Sequence, residues 1–294
     1  MAHDRILFDS PLVRIGHFTC APSRPEWSVE NVISGTLVVF PSVPVMIHQA
    51  GREPVVADRN LVMYYNEGQP YRRGLLHERG DDAVWIAFKG DLAAAVLAEI
   101  RPAAMETPEA PFDRSHGPSP ARSFLRLRAL VRMLGYGDCT SAIGAEEAVV
   151  SLARGLFDAD ARARSERRMR SRPETDRSRR ETTEQIKRLL TAEPGRGWTL
   201  ADVVGALCIS PAHLCRTFKQ ETGMSIHQYL LQLRLREAAA AVLEGERDLT
   251  ALAIRLGYST HSHFTEAFRR AFGVPPSRLR DAAQIRRLAT ARAG

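Results

Sequence analysis

The spacing of hydrophobic positions changes from short runs to a helical period near residue 119. Before that point, segments rich in β-branched and aromatic residues recur about every ten residues, namely 33–40, 44–49, 54–57, 61–65 and 84–88. Such segments, bounded by turn residues, are typical of strands. The sequence AGRE at 50–53 predicts a hairpin between the second and third segments. The pattern over 8–90 therefore predicts a small antiparallel barrel or sandwich.

Two helices are predicted after this β-rich region. Hydrophobic residues recur three and four apart over 124–134 and again over 148–156, a spacing that places them on one side of each helix. The first helix is expected to end at Gly135. Residues 160–180 have almost no apolar side chains, which predicts a solvated linker. The hydrophobic stripes of 119–157 are candidates to pack on the β-rich region or against a second copy of the chain.

The last hundred residues repeat one pattern twice. Thr199–Glu221 and Leu249–Ala271 each contain a short apolar helix, a tight turn, a serine and a second helix with polar residues outside. The serines, Ser210 and Ser259, lie 259 − 210 = 49 residues apart. Residues 226–243 predict one longer amphipathic helix between them. Each repeat predicts a helix-turn-helix unit, and a rigid helix between two such units suits binding in successive major grooves, about 34 Å apart.

Capping residues and hydrophobic stripes support these helices. Thr199 with Asp202, and Ser225 with Gln228, have the spacing of capping boxes. The serine of each repeat is expected to cap its second helix. Arg234 and Arg236 are expected to hold the connecting helix to its neighbours or to contact phosphate, rather than to read bases. The predicted inward-facing residues are Leu200, Val203, Val204, Leu207, Leu214, Thr217 and Phe218 in the first unit, and Leu249, Leu252, Ala253, Leu256, Phe264, Ala267, Phe268 and Phe272 in the second.

The remaining positions of the two second helices form the candidate DNA-binding set. Its members are Ala212, His213, Cys215, Arg216, Lys219, Thr260, His261, Ser262, His263, Glu266, Arg269 and Arg270. Arg216 suits two parallel hydrogen bonds with a guanine, and Glu266 can accept from the N4 amine of a cytosine. Arg269 and Arg270 are expected to contact phosphates. The alternative for the three histidines is a surface or partly buried position without a role in recognition.

The charge balance supports a nucleic-acid partner for the C-terminal part. The formal net charge is +7. Residues 1–159 have 16 basic and 19 acidic side chains (−3), whereas residues 160–180 have 9 and 4 (+5) and residues 181–294 have 16 and 11 (+5). A coding bias explains why arginine outnumbers lysine, but it does not explain why the sign of the charge changes along the chain.

Composition favours a cytoplasmic protein with free thiols. No apolar run approaches the ~20 residues that span a bilayer, and the first residues lack a basic-then-apolar signal segment. The cysteines, Cys20, Cys139, Cys208 and Cys215, include no CxxC pair and no zinc-ligand spacing. We therefore expect reduced thiols. Cys208 is expected to be buried or to lie in the turn of the first unit.

The β-rich region offers candidate ligand-binding residues but no metal site. Large side chains that suit a pocket are Trp27, Met46, Met63, Tyr65, Tyr71 and Trp85. The alternative is that they only fill the core. His48 and His77 stand alone, without the paired histidines of a metal-binding barrel. We therefore expect no metal and no other cofactor.

Three stretches of the C-terminal third resemble the DNA-binding domain of the AraC/XylS family of bacterial transcription regulators. They are ISPAHLCRTFKQETG, GMSIHQYLLQLRLREAA and LAIRLGYSTHSHFTEAFRRAFGVPPSRLR, within residues 182–281. The resemblance implies two helix-turn-helix units in adjacent major grooves near a promoter, with RNA polymerase as a partner and activation as the usual outcome. The family's base-facing positions fall on Ala212, Cys215, Arg216, Thr260, His261, Ser262 and Glu266.

The N-terminal part resembles the cupin-type sensor barrel found on many of these regulators, over VVFPSVPVMIHQAGREPVVADRNLVMYYNEGQPYRR. Two positions of the C-terminal part depart from the family. Cys208 stands where the first turn often has glycine, at a cost of about 1 kcal/mol if the residue needs a positive φ. Glu266 stands where a basic residue is common, so the operator sequences of the family do not transfer.

These patterns predict an α+β protein with two domains. We expect a cupin-like β-barrel with two following helices in 1–159, a charged linker in 160–180, and an all-α domain with two helix-turn-helix motifs in 181–294. The expected function is a sequence-specific transcription regulator, an activator that responds to a small molecule and forms a homodimer through 119–157. The alternative is an architectural DNA binder without an effector. An enzyme, either a cupin-type catalyst or an alkyl-transfer repair protein, would need metal ligands that 1–159 lack.

Overall fold

The chain forms two compact units with different architectures. The computed structural model describes the backbone of residues 3–137, 141–170 and 176–291. The first unit comprises Met1–Asp160 together with Arg280–Gly294, and the second comprises Ala161–Leu279. The first is rich in strands and the second is helical. Within the described residues, none of the helices is long and apolar enough to cross a membrane.

Two antiparallel sheets form the first unit. Over the described part of the chain, the strands are β1 (His3–Asp9), β2 (Val13–Cys20), β3 (Asn31–Val32), β4 (Thr36–Pro41), β5 (Val45–Gln49), β6 (Val55–Ala57), β7 (Leu61–Tyr65), β8 (Pro70–Gly74), β9 (Asp81–Phe88) and β10 (His116–Pro118). One sheet has the order β1-β2-β9-β4-β7-β10 and the other β3-β8-β5-β6. The predicted hairpin is confirmed, because β5 pairs with β6 and places Val45 opposite Ala57.

The two sheets share an apolar core between their inner faces. Its buried residues are Cys20, Trp27, Ile33, Val45, Ile47, Val55, Ala57, Met63 and Tyr65. Alternation along each strand directs every second side chain to this core. Among the described strands, no pairing joins one sheet to the other. The unit therefore consists of two packed sheets, and continuous strand pairing does not close the barrel that the sequence led us to expect.

Helices cover the outer face of the six-stranded sheet. On β7, the ring of Tyr64 stacks on Phe112 at 5.0 Å between centroids and meets Phe157 edge-on at 6.1 Å. The helices that contribute to this unit are α1 (Pro25–Ser28), α2 (Leu92–Ala98), a 3₁₀ helix (Pro102–Met105), α3 (Ala121–Gly135), α4 (Ala142–Arg170) and α11 (Ala282–Thr290). The last of these, α11, packs against α3. The sequence did not predict α2 or α11.

The hydrophobic stripes predicted for a dimer contact are used inside one chain. Phe124, Leu127 and Leu130 of α3 are buried, and so are Val149 and Leu152 of α4. A partner cannot pack on side chains that already lie in the core. The prediction that the hydrophobic stripes of 119–157 form the dimer contact was therefore wrong, because these side chains are buried within one chain. Among the described residues of that region, the exposed large hydrophobic side chains are Tyr136 and Ile143.

The segment predicted as a charged linker is largely helical. Helix α4 continues to Arg170, and α5 (Asp176–Ala192) begins within the segment; residues 171–175 lie outside the described part. Arginine, alanine and glutamate have high helix propensities, so a sequence without apolar content can still form a helix. Low hydrophobicity indicated solvation and gave no sign of this helix.

The second unit is built from six helices around two cores in its described part. After α5 come α6 (Leu200–Leu207), α7 (Pro211–Thr222), α8 (Ile226–Glu244), α9 (Leu249–Arg255) and α10 (His261–Phe272), followed by a 3₁₀ helix (Pro276–Arg280). The capping boxes at Thr199 and Ser225 are confirmed. The predicted inward residues are buried or half-buried except Leu200, which is 43% exposed. Leu200 faces outward because it begins α6, beyond the reach of the core.

A strained residue makes the turn of the first helix-turn-helix unit. Cys208 ends α6 with φ 54° and ψ 36°, the left-handed conformation, and is exposed. Among the described non-glycine residues it alone has a positive φ. The prediction that Cys208 lies in the turn is confirmed. With Cys20 and Cys215 it is a free thiol, whereas Cys139 lies outside the described residues.

We expect Cys208→Gly to stabilise the protein by about 0.5–1 kcal/mol. Glycine removes the left-handed strain but adds entropy to the unfolded chain. Urea unfolding followed by helical circular dichroism measures the difference. Gly223→Ala is the matched control, because Gly223 ends α7 with φ 74° and open space around a new Cβ, and it should lose about 1 kcal/mol. Equal stability of Cys208→Gly and the wild type would contradict the argument.

Candidate nucleic-acid interface

The first recognition helix, α7, presents a polar face opposite a buried one. Ser210 occupies the N-cap position, but its side chain makes no capping hydrogen bond, and Pro211 fixes the first turn. Leu214, Thr217 and Phe218 are buried. The five candidate residues are all exposed, namely Ala212, His213, Cys215, Arg216 and Lys219. The Nε2 atom of His213 lies 3.4 Å from the Thr217 hydroxyl, a contact that orients the imidazole along the helix.

The second recognition helix, α10, begins one residue later than the sequence predicted. Thr260 is the N-cap, and its Oγ1 accepts a hydrogen bond of 3.1 Å from the backbone N–H of His263. The expectation that Ser259 caps this helix was wrong, because Thr260 has the extended backbone and the side-chain geometry of a cap. The seven candidates on this side are also exposed: Thr260, His261, Ser262, His263, Glu266, Arg269 and Arg270. The Thr260 hydroxyl is thus already engaged in capping α10.

An ion pair occupies the middle of this exposed face. Glu266 Oε1 accepts from Arg270 Nη2 at 2.7 Å, and the side chains are 61% and 77% exposed. The pair spans one helical turn and is worth a few tenths of a kcal/mol at most. The pair can therefore open at little cost, which leaves Glu266 and Arg270 available as candidate DNA contacts.

We expect Glu266→Ala to relax the preference for one base pair in the second groove. The loss of the carboxylate removes the acceptor for a cytosine N4 amine and releases Arg270 to bind a phosphate. Overall affinity should therefore change less than specificity. Binding-site selection from random duplexes measures both. Glu244→Ala, which removes a negative charge from the exposed end of α8, is the control for charge alone, and an unaltered selected motif for Glu266→Ala would count against base contact.

Helix α8 joins the two halves and carries their cores. Tyr229, Leu230 and Leu233 pack with the first helix-turn-helix unit, and the ring of Tyr229 meets Phe218 edge-on at 5.3 Å. Further along α8, toward the second helix-turn-helix unit, a run of small and aliphatic side chains is buried: Ala238, Ala239, Ala240, Val242 and Leu243. Arg234 donates to three backbone carbonyls around the helix, which confirms that it holds α8 to its neighbours.

A cavity of about 270 Å³ lies between the two sheets of the first unit. Four of the six predicted ligand residues line it: Met63, Tyr65, Tyr71 and Trp85. Trp27 and Met46 are buried but do not reach it. The Trp85 ring lies across Gly16, where an added Cβ would come within 2.3 Å of the ring. Glycine on the neighbouring strand therefore makes room for the aromatic wall.

A buried ion pair, missed in the sequence, faces this cavity. Arg73 Nε donates to Asp81 Oδ2 at 2.6 Å, and the side chains are 2% and 9% exposed. The Arg73 guanidinium lies 4.7 Å from the ring centroid of Phe18 and 4.8 Å from that of Tyr71, and it donates to the Tyr71 hydroxyl. Burial raises the pKa of Tyr71 to about 12, so the hydroxyl stays neutral.

The sequence holds only a weak signal for these residues. Arg73 lies in the sequence YRR, which is typical of a polar strand end. Asp81 is one of two adjacent aspartates, which are typical of a turn. Their partnership depends on the packing of the four-stranded sheet, which contains β8, against the six-stranded sheet, which contains β9. Among the described residues, no group of three or more histidines, cysteines or carboxylates is placed to hold a metal ion.

Comparison with known proteins identifies the helical unit. A family model described as a helix-turn-helix domain matches residues 203–282. An AraC-like transcription regulator of Streptomyces lividans is 34% identical over 91 residues, which cover 31% of this chain and 30% of that protein. The urease operon transcriptional activator of Escherichia coli is 32% identical over 95 residues, 32% of each chain. The matches thus span about a third of the length of these curated relatives.

One solved structure is similar to this chain over most of its own length. The C-terminal domain of AraT, a response regulator from Geobacillus stearothermophilus, is 33% identical and covers 37% of this chain and 87% of that one, with a TM-score of 0.31. The residues that the family model matches, 203–282, contain both α7 and α10. The C-terminal part of the chain is therefore a DNA-binding domain of the AraC type, with two helix-turn-helix motifs.

Proposed function

We propose that the protein is a cytoplasmic regulator of transcription that binds two successive major grooves of a promoter through α7 and α10. The observation that carries this proposal is the exposure of all twelve candidate residues on two capped helices whose other faces are buried. The N-terminal part of each helix supplies base contacts, and Arg269, Arg270 and Lys219 supply phosphate contacts. Activation, with RNA polymerase as a partner, is part of this proposal, and one relative, the urease operon protein of Escherichia coli, is named as a transcriptional activator.

The first unit is proposed as a cupin-like sensor of a small molecule. Its cavity combines aromatic and aliphatic walls with a few polar groups, the usual composition of a ligand site. Both arginines that line it are already paired, Arg73 with Asp81 and Arg14 with Asp9 at 2.8 Å. A bound carboxylate would add an uncompensated buried charge. The effector we propose is therefore mainly apolar, with a neutral oxygen that accepts from Arg73 or Tyr71.

Matched probes test the chemistry of the effector. We expect 4-propylphenol to raise the melting temperature of the full chain more than 4-propylbenzoate does at equal concentration. Arg73→Met should reduce the effect of the phenol. A larger shift with the benzoate would overturn the assignment of a neutral ligand. The effector would act by changing the population of states in which both helices reach DNA.

Dimerisation is part of the proposal, but through a different surface from the buried stripes. Tyr136 and Ile143, at the end of α3 and the start of α4, are 72% and 69% exposed. A second copy that packs on them would cover apolar area without unfolding the core. Sedimentation of the full chain and of a Tyr136→Ser/Ile143→Ser variant measures this, and a variant that dimerises like the wild type would exclude this contact.

Selection from random duplexes tests the proposed function. The full chain should enrich a two-part motif with half-sites about 10 base pairs apart. The same selection with and without extract from the producing cells separates a ligand-dependent regulator from an architectural binder, which would select the same motif under both conditions. If no duplex is enriched over random competitor at moderate salt, the proposal fails.

A further inference from the structure

The loop after α5 reaches the turn of the second helix-turn-helix unit. An added Cβ on Gly195 would lie 2.2 Å from the carbonyl oxygen of Arg255, and one on Gly257 would lie 2.6 Å from the carbonyl oxygen of Gly195. Two backbones thus touch at a place where neither position has room for a side chain. Gly257 also has φ 76° and forms the turn before α10. The loop 193–198 is therefore seated directly on the turn that leads into the second recognition helix.

Arg234 of α8 ties this contact together. Its Nε donates to the carbonyl of Pro194 at 2.7 Å and its Nη2 to the carbonyl of Arg196 at 2.7 Å. Its Nη1 donates to the carbonyl of Gly257 at 3.3 Å. The planar fork of a guanidinium can hold three carbonyls in fixed directions, which an ammonium cannot do. We call loop 193–198, Arg234 and Gly257 the clasp.

The other end of the clasp is fixed in the first helix-turn-helix core. Trp198 packs against the cluster that contains Leu190, Val203 and Phe218. Its Nε1 donates to the carbonyl of Glu193 at 2.9 Å, which closes the loop on itself. A displacement of the loop would therefore disturb the support of α7, and a displacement of the turn at Gly257 would disturb α10.

We propose that the clasp sets the angle and separation of the two recognition helices, and so determines which half-site spacing the protein accepts. Helix α8 joins the two halves through one element, so their relative angle depends on the side-chain packing along that helix. The clasp adds a second connection on another side, and two connections fix an orientation. Arg234 and Gly195 are thus positioning residues for DNA recognition, without contact to DNA. This inference rests on the proposed binding of two successive grooves.

Binding to paired and single half-sites by the full chain tests the clasp. Once selection has given the two-part site, affinities are measured for that site, for sites with one base pair added or removed between the halves, and for each half alone. We expect Arg234→Ala and Gly195→Ala to bind the two-part site about tenfold more weakly and to tolerate altered spacing, with half-site binding within about twofold of the wild type. Arg234→Lys keeps the charge but should behave like Arg234→Ala.

A matched control makes the binding outcomes decisive. Arg255→Ala removes an exposed charge at the same turn, where the side chain pairs with Glu246 outside the clasp, and should keep the spacing optimum of the wild type. The clasp is overturned if Arg234→Lys and Gly195→Ala keep that optimum and affinity, or if they lose half-site and two-part binding equally. A wild-type chain that enriches no motif would instead overturn the proposed function.

Discussion

Arg216→Ala weakens binding to the selected site by about 1–3 kcal/mol and relaxes the preference for a guanine in the first groove. Arg216 is exposed on the polar face of α7, in the same turn as Cys215, and around it lie the small side chains of Ala212 and Cys215. These side chains can contact a thymine methyl but cannot form paired hydrogen bonds. We therefore expect most of the hydrogen-bonded specificity of the first helix-turn-helix unit to depend on Arg216. Fluorescence anisotropy against the selected duplex measures the loss.

Lys219→Ala is the matched control for charge. It lies one turn further along the same exposed face and should weaken binding to all duplexes to a similar extent, with the salt dependence reduced by about one unit of slope. If Arg216→Ala reproduces that uniform loss, Arg216 binds a phosphate and not a base. An unchanged titration would remove Arg216 from the interface.

Asp81→Ala lowers the free energy of unfolding of the strand-rich N-terminal unit by about 3–5 kcal/mol. The substitution leaves the guanidinium of Arg73 buried without a counter-ion, next to a carbonyl, a hydroxyl and two aromatic rings. The energy of a buried charge without its counter-ion accounts for the loss. Urea unfolding followed by the fluorescence of Trp27 and Trp85 measures it.

A double variant separates the charge from the packing. Arg73→Met/Asp81→Leu removes both charges and keeps similar volume, so its stability should equal or exceed that of the wild type. The double variant should also lose the response to 4-propylphenol, since Arg73 is the proposed donor to the effector. If Asp81→Ala alone is as stable as the wild type, water or Glu26 compensates the charge of Arg73.

The sequence predicted the DNA-binding region more completely than the N-terminal one. Capping residues such as Thr199 and Ser225 act on neighbouring backbone, so their effect can be read locally. The helical period of buried residues in α7 and α10 also predicts which faces remain exposed. The start of α10 was missed by one residue, because Ser259 and Thr260 are both good caps and only the backbone conformation selects between them.

Features that depend on distant contacts were not predictable in the same way. The Arg73–Asp81 pair and the cavity arise from the packing of two sheets, and no local pattern marks which strand positions meet. The clasp likewise joins Gly195 to Gly257, which are 257 − 195 = 62 residues apart in the sequence. Leu200 satisfied the helical period but begins its helix outside the core. The helix α11 had an amphipathic sequence, yet nothing local indicates that its partner is α3.

The pairing of α11 with α3 has a consequence for the gene as well as for the protein. A frameshift or early stop codon after Arg280 would leave the described helices of the second compact unit intact and still remove α11, a packing partner of α3, from the strand-rich unit. The codons of α11 are therefore under constraint from α3, a helix near the middle of the chain. Affinity tags and fusions are better placed beyond Thr290 than in exchange for these residues.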